Sequence, residues 1–175
     1  MDPAVPERRY SKRMRNGIGT LWKMLPGWLR LKIIRSTQAK FTVSAAAIIT
    51  NELRQVLLLN HVLRPFSGWG LPGGFIGVHE QPEEAIRREI REETGLELAD
   101  LKMLAIRTIG RHVEILFTAK AVGEAEVKSR EILELGWFDV GSMPEQMSRS
   151  QRNVIEQVVD GESQGVGGRS QNRER

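Results

Sequence analysis

Two adjacent apolar segments constrain the fold of this chain most. From Phe41 to Ile49 every odd position is apolar, and a period of two is typical of a β-strand. The run Val56–Leu59 is apolar at every position, which indicates a strand that is covered on both faces. Such a strand needs a layer on either side of its sheet, so these segments predict a layered domain of the α+β class.

The rest of the body interleaves helices and strands without a regular βαβ repeat. Residues 81–94 are predicted to form a helix that ends at Gly95, and residues 151–159 a terminal helix. Further strands are predicted at 101–108 and 112–120, joined as a hairpin, and at 133–138. We therefore predict an α/β/α sandwich over residues 41–160, with a mixed sheet between helices.

Charge separates the N-terminal end from this domain. Residues 1–40 contain ten Lys and Arg but only two acidic residues, whereas the whole chain carries a net charge of +4. We predict a basic, partly helical extension over 1–40 in which Pro26 divides two short helices. Packing on the body is its simplest role, and a membrane surface or a homodimer contact are the alternatives. Residues 161–175 are predicted to be a disordered tail.

Composition excludes several classes of protein. The chain has no cysteine, which excludes disulfides, thiolate metal ligands and cysteine nucleophiles. No run approaches the roughly 18 apolar residues that span a bilayer, and the first 20 residues lack the apolar segment of a secretory signal. The basic residues are concentrated in the extension, so they are weak support for nucleic-acid binding. We expect a cytoplasmic protein that does not act at a membrane.

The predicted helix 81–94 carries the residues with the clearest chemistry. At about 100° per residue, Glu89, Glu92 and Glu93 share one side of the helix. Glu89 and Glu93 repel each other at i,i+4, and neither has a basic residue four positions away. A divalent cation would turn this repulsion into binding, and clustered carboxylates favour Mg²⁺ or Mn²⁺.

Ion pairing on a solvated helix is the competing interpretation. Glu84, Arg88 and Glu92 are spaced at i, i+4 and i+8, so they can form a ladder of ion pairs. Glu83 can pair with Arg87 in the same way. These pairs leave Glu89 and Glu93 unexplained, and both interpretations therefore stay open at this point.

A glycine-rich turn, Gly70–Gly74, precedes this helix. Backbone without side chains can approach a ligand closely, so Gly73 and Gly74 are candidate substrate-binding residues. Arg64 could contact a phosphate, and Trp69 could stack on a nucleobase. Core or loop packing is at least an equal interpretation for the tryptophan.

Residues 74–96 resemble the Nudix box. Its pattern is G-x5-E-x7-R-E-U-x-E-E-x-G-U, in which U is an aliphatic residue. Every specified position matches, at Gly74, Glu80, Arg88, Glu89, Ile90, Glu92, Glu93, Gly95 and Leu96. Members often have a glutamate where this chain has Gly77 and a glycine where it has His79. These departures affect the expected turn geometry and substrate contacts rather than the metal site.

The resemblance implies the Nudix fold and a Mg²⁺- or Mn²⁺-dependent hydrolase of phosphoanhydride bonds. Its substrates are nucleoside diphosphates linked to another group, and a metal-activated water is the nucleophile. The metal ligands carried over from the family are Glu89, Glu92 and Glu93. Glu92 and Glu93 are also candidate catalytic residues, together with Arg88, which orients a glutamate in the family.

Other positions of the resemblance shape the loops or supply a further carboxylate. Gly74, Glu80 and Gly95 correspond to loop-shaping positions of the box, with Glu80 the nearest of them to the metal. Glu131 precedes Trp137 by six residues, as a late glutamate does in MutT-like members. The resemblance makes Glu131 a candidate metal ligand or general base, and a solvated loop charge is the alternative.

The expected partner is a small nucleotide, with a MutT-like (deoxy)nucleoside triphosphate or related nucleotide favoured. The marks of two other subclasses are missing, because no proline lies between Pro82 and Pro144 and the only tyrosine is Tyr10. A capped RNA is the one nucleic acid that fits this chemistry. The alternative function is a non-catalytic, nucleotide-binding or regulatory Nudix module, against which the intact box glutamates argue.

Overall fold

The computed structural model of the chain describes residues 20–63 and 68–167, apart from the side chains of residues 160 and 162–167. The chain divides into two units, residues 1–40 and 41–175. In the first unit, residues 20–24 are helical and helix α1 spans Gly27–Thr37. Pro26 caps α1 with a φ of −55°, a value that the proline ring fixes. The predicted break between two helices is therefore confirmed.

The second unit contains a sheet of seven strands in its described residues. They are β1 (Thr42–Thr50), β2 (Val56–His61), β3 (Trp69–Gly70), β4 (Gly73–Phe75), β5 (Glu97–Ile109), β6 (His112–Val122) and β7 (Ile132–Phe138). Helix α2 spans Pro82–Thr94, a 3₁₀ turn spans Val140–Ser142, and helix α3 spans Arg149–Gly167. Within the described ranges, no helix is long and apolar enough to cross a membrane.

Strand β1 is the centre of the sheet. It pairs in parallel with β6 and antiparallel with β4. Strands β5 and β6 form the predicted hairpin, which turns at Gly110 with a φ of 61°. Strand β2 pairs antiparallel with β3 and β7 and meets β1 at Thr50 and Val56. The sheet is therefore mixed, as the sequence predicts.

Helices cover both faces of this sheet. The face formed by Ala45, Ala47 and Ile49 packs in one apolar cluster with residues of α2. The intervening Ala46 and Ile48 pack in a second cluster with residues of α3. Strand β1 is thus buried on both faces, whereas its alternating sequence pattern suggested that only one face is buried. The polar residues at the other even positions, Thr42, Ser44 and Thr50, hide this second face in the sequence.

Two parts of the fold differ from the sequence prediction. Strands β3 and β4 have two and three residues, which is too short for a periodic pattern. Helix α3 continues to Gly167, although the pattern predicts an end near Val159 and disorder from residue 161. A helix that packing has nucleated gains one hydrogen bond for each residue added, which favours this continuation. Residues 168–175 lie outside the described residues.

Candidate active site

Both ends of α2 are fixed by local contacts. The backbone N–H of Gln81 donates to the Glu84 carboxylate at 3.0 Å, which is half of a capping box. At the other end, Gly95 has a φ of 74° and its N–H donates to the Arg91 carbonyl at 3.0 Å. Ile86 and Ile90 lie on the buried face of the helix. These contacts fix the direction in which its carboxylates face.

The Arg88 guanidinium connects the turn before α2 to the carboxylates on the helix. Its Nε and Nη2 atoms bind the two oxygens of Glu80 at 2.7 and 3.0 Å. Its Nη1 atom donates to Glu89 at 2.9 Å and to Glu92 at 3.3 Å. The Glu92 contact is the predicted rung of the ladder, but the principal partner is Glu80. Arg88 thus orients three of the box glutamates.

This bidentate pair changes the acidity of Glu80. Hydrogen bonds from the Arg88 side chain and, second, from the Gly77 N–H at 2.7 Å lower the pKa of Glu80 from 4.5 to about 2. The same contacts with Glu80 and Glu89 raise the pKa of Arg88. Glu80 therefore stays ionised at neutral pH and acts as a structural anion, which agrees with its expected role in shaping the loop.

The glycine-rich turn brings backbone against a carboxylate. A Cβ atom on Gly74 would lie 2.3 Å from the Glu89 carboxyl carbon, so any larger residue would displace the Glu89 carboxylate. Gly73 has a φ of 145°, and its Cβ atom would lie 2.2 Å from the Ala45 carbonyl oxygen on β1. Gly73 is thus needed to seat β4 against β1, and Gly74 lets the Glu89 carboxylate lie against the backbone of β4. Packing explains them before any ligand is considered.

Glu93 lies apart from the Arg88 contacts. Its side chain is 7% exposed, and its Oε1 atom lies 3.8 Å from Nδ1 of His61, which is 10% exposed. The sequence favours a structural role for His61, because it lies in or beside a strand. The signal for it is its position at the end of the buried strand β2, where the pairing with β7 shifts register.

Glu131 reaches the same end of β2 through its backbone. The Val62 N–H donates to the Glu131 carbonyl at 2.9 Å, while the Glu131 side chain is exposed. The strands therefore bring the backbone of this late glutamate close to His61 and the Glu93 end of α2.

The donor chemistry of α2 fits a hard divalent cation. Glu89, Glu92 and Glu93 offer carboxylate oxygens only, and the Gly74 backbone leaves space around one of them. Within the described part of the chain, however, no three acidic or histidine side chains lie close enough together to hold a metal ion. Glu92, with 60% of its side chain exposed, has room to rotate towards the others.

Trp69, Arg64 and His79 are the other residues that the sequence singles out, and the structure treats each differently. Trp69 packs edge to face on Phe138, with ring centroids 5.2 Å apart, and contacts the apolar cluster beside α3. This contact favours the packing interpretation for Trp69. Arg64 lies outside the described residues. His79 has a φ of 66°, so it adopts the left-handed backbone that a glycine would adopt more easily.

A cavity of about 340 Å³ adjoins the glycine-rich turn. Gly73 and Gly74 line it, together with residues of β1, β6 and α3. Gly74 therefore borders this cavity and the Glu89 carboxylate. Because the cavity lies on the α3 side of β1, Gly74 is the link between it and the carboxylates of α2.

A family model described as the NUDIX domain matches residues 40–158. The chain belongs to the Nudix family. This finding confirms the membership that the box predicts, and the architecture agrees with it. A crystal structure of a MutT Nudix hydrolase from Burkholderia pseudomallei matches with a TM-score of 0.61 and 31% identity. That match covers 68% of this chain and 98% of the other.

Curated relatives of this Nudix chain include hydrolases and a MutT-like protein. An RNA pyrophosphohydrolase of Stutzerimonas stutzeri (strain A1501) is 42% identical over 65 residues, which is 37% of this chain. The chain spans only 40% of that relative's length. A MutT-like protein of Streptomyces ambofaciens is 29% identical over 123 residues, covering 69% of this chain and 78% of the relative.

Proposed function

We propose that the chain is a Mg²⁺- or Mn²⁺-dependent Nudix hydrolase. It cleaves a phosphoanhydride bond in a nucleoside triphosphate or a related nucleotide. The single observation that carries this proposal is the contact set of Arg88, which orients Glu80, Glu89 and Glu92 beside the Gly74 backbone. Ion pairs on a helix that only faces solvent would not require an arginine that joins the turn before the helix to two glutamates on it.

The carboxylates of α2 are the proposed metal ligands. Glu89, Glu92 and Glu93 would hold the divalent cation; Arg88 positions Glu89, and the exposed Glu92 would rotate from its contact with Arg88 to join them. The cation would neutralise charge on the phosphate oxygens and favour ionisation of the attacking water. Glu80 acts indirectly, because its ion pair fixes the guanidinium that positions the other glutamates.

A glutamate is the proposed proton acceptor for the water. Glu92, Glu93 and Glu131 are the candidates, because a carboxylate is a side chain that can serve as a general base. Glu93 is the most buried of them and faces His61. Glu131 has its backbone bound to β2, while its exposed side chain has freedom to approach a substrate.

The cavity beside Gly73 and Gly74 is the proposed substrate site. Its volume of about 340 Å³ is at the low end for ligand pockets, which suits one nucleotide rather than a larger dinucleotide. Trp69 has no role in this proposal, because its ring packs on Phe138. A 5′-triphosphorylated or capped RNA is a further candidate substrate, favoured by the similarity to an RNA pyrophosphohydrolase.

The test is a phosphate-release assay over a substrate panel, coupled to inorganic pyrophosphatase and phosphatase. The panel contains nucleoside triphosphates, nucleotide sugars, dinucleotides and 5′-triphosphorylated RNA, each with Mg²⁺ and with Mn²⁺. We expect turnover of one class by the wild type and none by Glu93→Gln. Glu83→Gln, an exposed change on the same helix, is the matched control and should retain activity. Metal-independent turnover, or full activity in Glu93→Gln, would contradict the proposal.

A further inference from the structure

Glu114 is a buried carboxylate that the proposed hydrolysis does not use. It lies on β6, across the sheet from α2, and is buried together with only Glu93 and Thr94 among the described polar residues. A buried carboxylate is costly unless hydrogen bonds and a counter-charge compensate it. A compensating partner or ligand is therefore expected beside the Glu114 carboxylate.

Arg107 is the protein partner of Glu114. The two residues are opposite each other in the β5–β6 register. Both Nε and Nη2 of Arg107 donate to Oε2 of Glu114, the first at 3.0 Å. This pair supplies the counter-charge and fixes the carboxylate, but it engages only one of the two oxygens. The other oxygen, Oε1, keeps its capacity to accept hydrogen bonds.

The cavity beside the glycine-rich turn places Glu114 where it can meet a ligand. Glu114 lines this cavity together with Gly73, Gly74 and Phe75 of β4. Gly74 also borders the Glu89 carboxylate on α2. A nucleotide with its base against Glu114 would have to extend from the α3 face of the sheet past the Gly74 backbone to bring its phosphates near the proposed metal ligands.

The walls of the cavity suit a flat aromatic ring. Phe75 is 65% exposed and meets the His112 ring edge to face, with centroids 6.0 Å apart. An exposed aromatic face is a stacking platform for any nucleobase, so it does not select among bases. His112 is itself held by the Thr42 and Ser44 hydroxyls at 2.8 and 2.9 Å. Selection among bases then depends on the polar groups of the cavity.

A carboxylate held in this way accepts hydrogen bonds and donates none. Guanine presents two adjacent N–H donors, N1–H and the 2-amino group, to such an acceptor. Adenine instead presents the N1 lone pair beside its single amino group, and the lone pair would repel the carboxylate. We infer that Glu114, fixed by Arg107, is a specificity-determining residue that selects nucleotides with a guanine-type base. This inference rests on the proposed function only in taking the cavity as the nucleotide site.

The test measures binding without turnover. The full-length protein is titrated by calorimetry with GMP, IMP and AMP in the absence of divalent metal. We expect GMP to bind about 10- to 100-fold more tightly than AMP, because a hydrogen bond from guanine to the charged Oε1 contributes about that factor and adenine offers a lone pair in its place. IMP, which keeps N1–H but lacks the 2-amino group, should lie between them. Equal affinities, or no measurable binding of any of the three at millimolar concentration, would overturn the inference.

Variants separate recognition from structural support. In Glu114→Gln the ratio of GMP to AMP affinity should fall towards one, since the amide replaces one acceptor by a donor. Glu97→Gln is the matched control: it removes a carboxylate from another Arg–Glu pair, the one with Arg91, and Glu97 does not line the cavity. This control should keep the wild-type ratio. A folded Glu114→Gln with an unchanged ratio would overturn the inference, and the wild-type series alone decides if that variant does not fold.

The outcome is distinguishable from that of the proposed function. Selective GMP binding without any phosphate release would contradict hydrolysis and leave the role of Glu114 supported. Metal-dependent turnover with equal kcat/KM for GTP and ATP would contradict the role of Glu114 alone.

Discussion

Arg88 has more partners than any other side chain described on α2. It binds Glu80 before the helix and Glu89 and Glu92 on it, and its Nη2 also donates to the Phe75 carbonyl at 3.3 Å. A guanidinium can make these contacts together because its five N–H donors lie in one plane. An ammonium group has neither the shape nor the reach for them.

Arg88→Lys should therefore weaken the proposed metal site without removing charge. We expect metal affinity or kcat to fall about 10- to 100-fold, the usual cost of losing a residue that orients metal ligands. The measurement is activity as a function of Mg²⁺ concentration. Arg87→Lys is the control, because Arg87 donates to the Leu98 carbonyl rather than to a carboxylate. Wild-type Mg²⁺ dependence in Arg88→Lys would show that Arg88 does not orient the ligands.

Glu80 should make the stability of the protein depend on pH. Because the pKa of Glu80 falls from 4.5 to about 2 on folding, its contribution is complete above about pH 5 and is lost as the pH falls towards 2. The melting temperature of Glu80→Gln should thus be lower than that of the wild type at neutral pH, and the gap should close towards pH 2. Melting curves at several pH values test this, with the exposed Glu124→Gln as control. A gap that is independent of pH would contradict the ion pair.

Single-residue roles were predictable only where local spacing or the family pattern determined them. Helical spacing gives the contact of Arg88 with Glu92 at i+4. Glu80 precedes the helix, so helical geometry cannot pair it with Arg88. The burial of Glu93 against His61 depends on where β2 ends relative to α2, which no local pattern encodes.

The caps of α2 determine where the helix that carries the carboxylates begins and ends. Gly95 ends the helix with a φ of 74°, a conformation that costs other residues about 1 to 2 kcal/mol. The sequence predicts this end correctly, since glycine after an amphipathic segment is the common signal. Strands β3 and β4 were not predictable, because their pairing with β2 and β1 depends on tertiary contacts rather than on periodicity.

Gly95→Ala should destabilise the domain through the backbone. We expect the free energy of unfolding to fall by about 1 to 2 kcal/mol, measured by urea denaturation. Gly141→Ala is the matched control, because a Cβ atom there meets open space. That control should stay within about 0.5 kcal/mol of the wild type. Equal stabilities of the two variants would contradict a strained cap.

At the scale of the whole molecule, the core belongs to the second unit. Both apolar clusters draw their buried residues from positions 45–159. The sheet between two helices was predictable because the run Val56–Leu59 is apolar at every position, which requires a layer on each face of the sheet. The role of the basic extension, as a packing element, membrane-surface segment or dimer contact, stays a prediction.

Deleting residues 1–40 should leave the hydrolase domain folded and active. No residue of either cluster is lost, and the NUDIX model begins at residue 40. We expect kcat/KM for the best nucleotide substrate to stay within about twofold of the full chain, or about 0.5 kcal/mol, because every residue proposed for the site belongs to the second unit. Comparing kcat/KM and melting temperature of the two proteins tests this. A large loss in either would assign the extension a part in the domain.

The central claim is that the carboxylates of α2 hold a divalent cation. The most direct measurement is a Mn²⁺ titration followed by electron paramagnetic resonance, in which bound Mn²⁺ loses its free signal. We predict saturable binding by the wild type and by Glu83→Gln, and a loss of at least about tenfold in affinity in Glu92→Gln. Equal Mn²⁺ binding by the wild type and Glu92→Gln would contradict the claim.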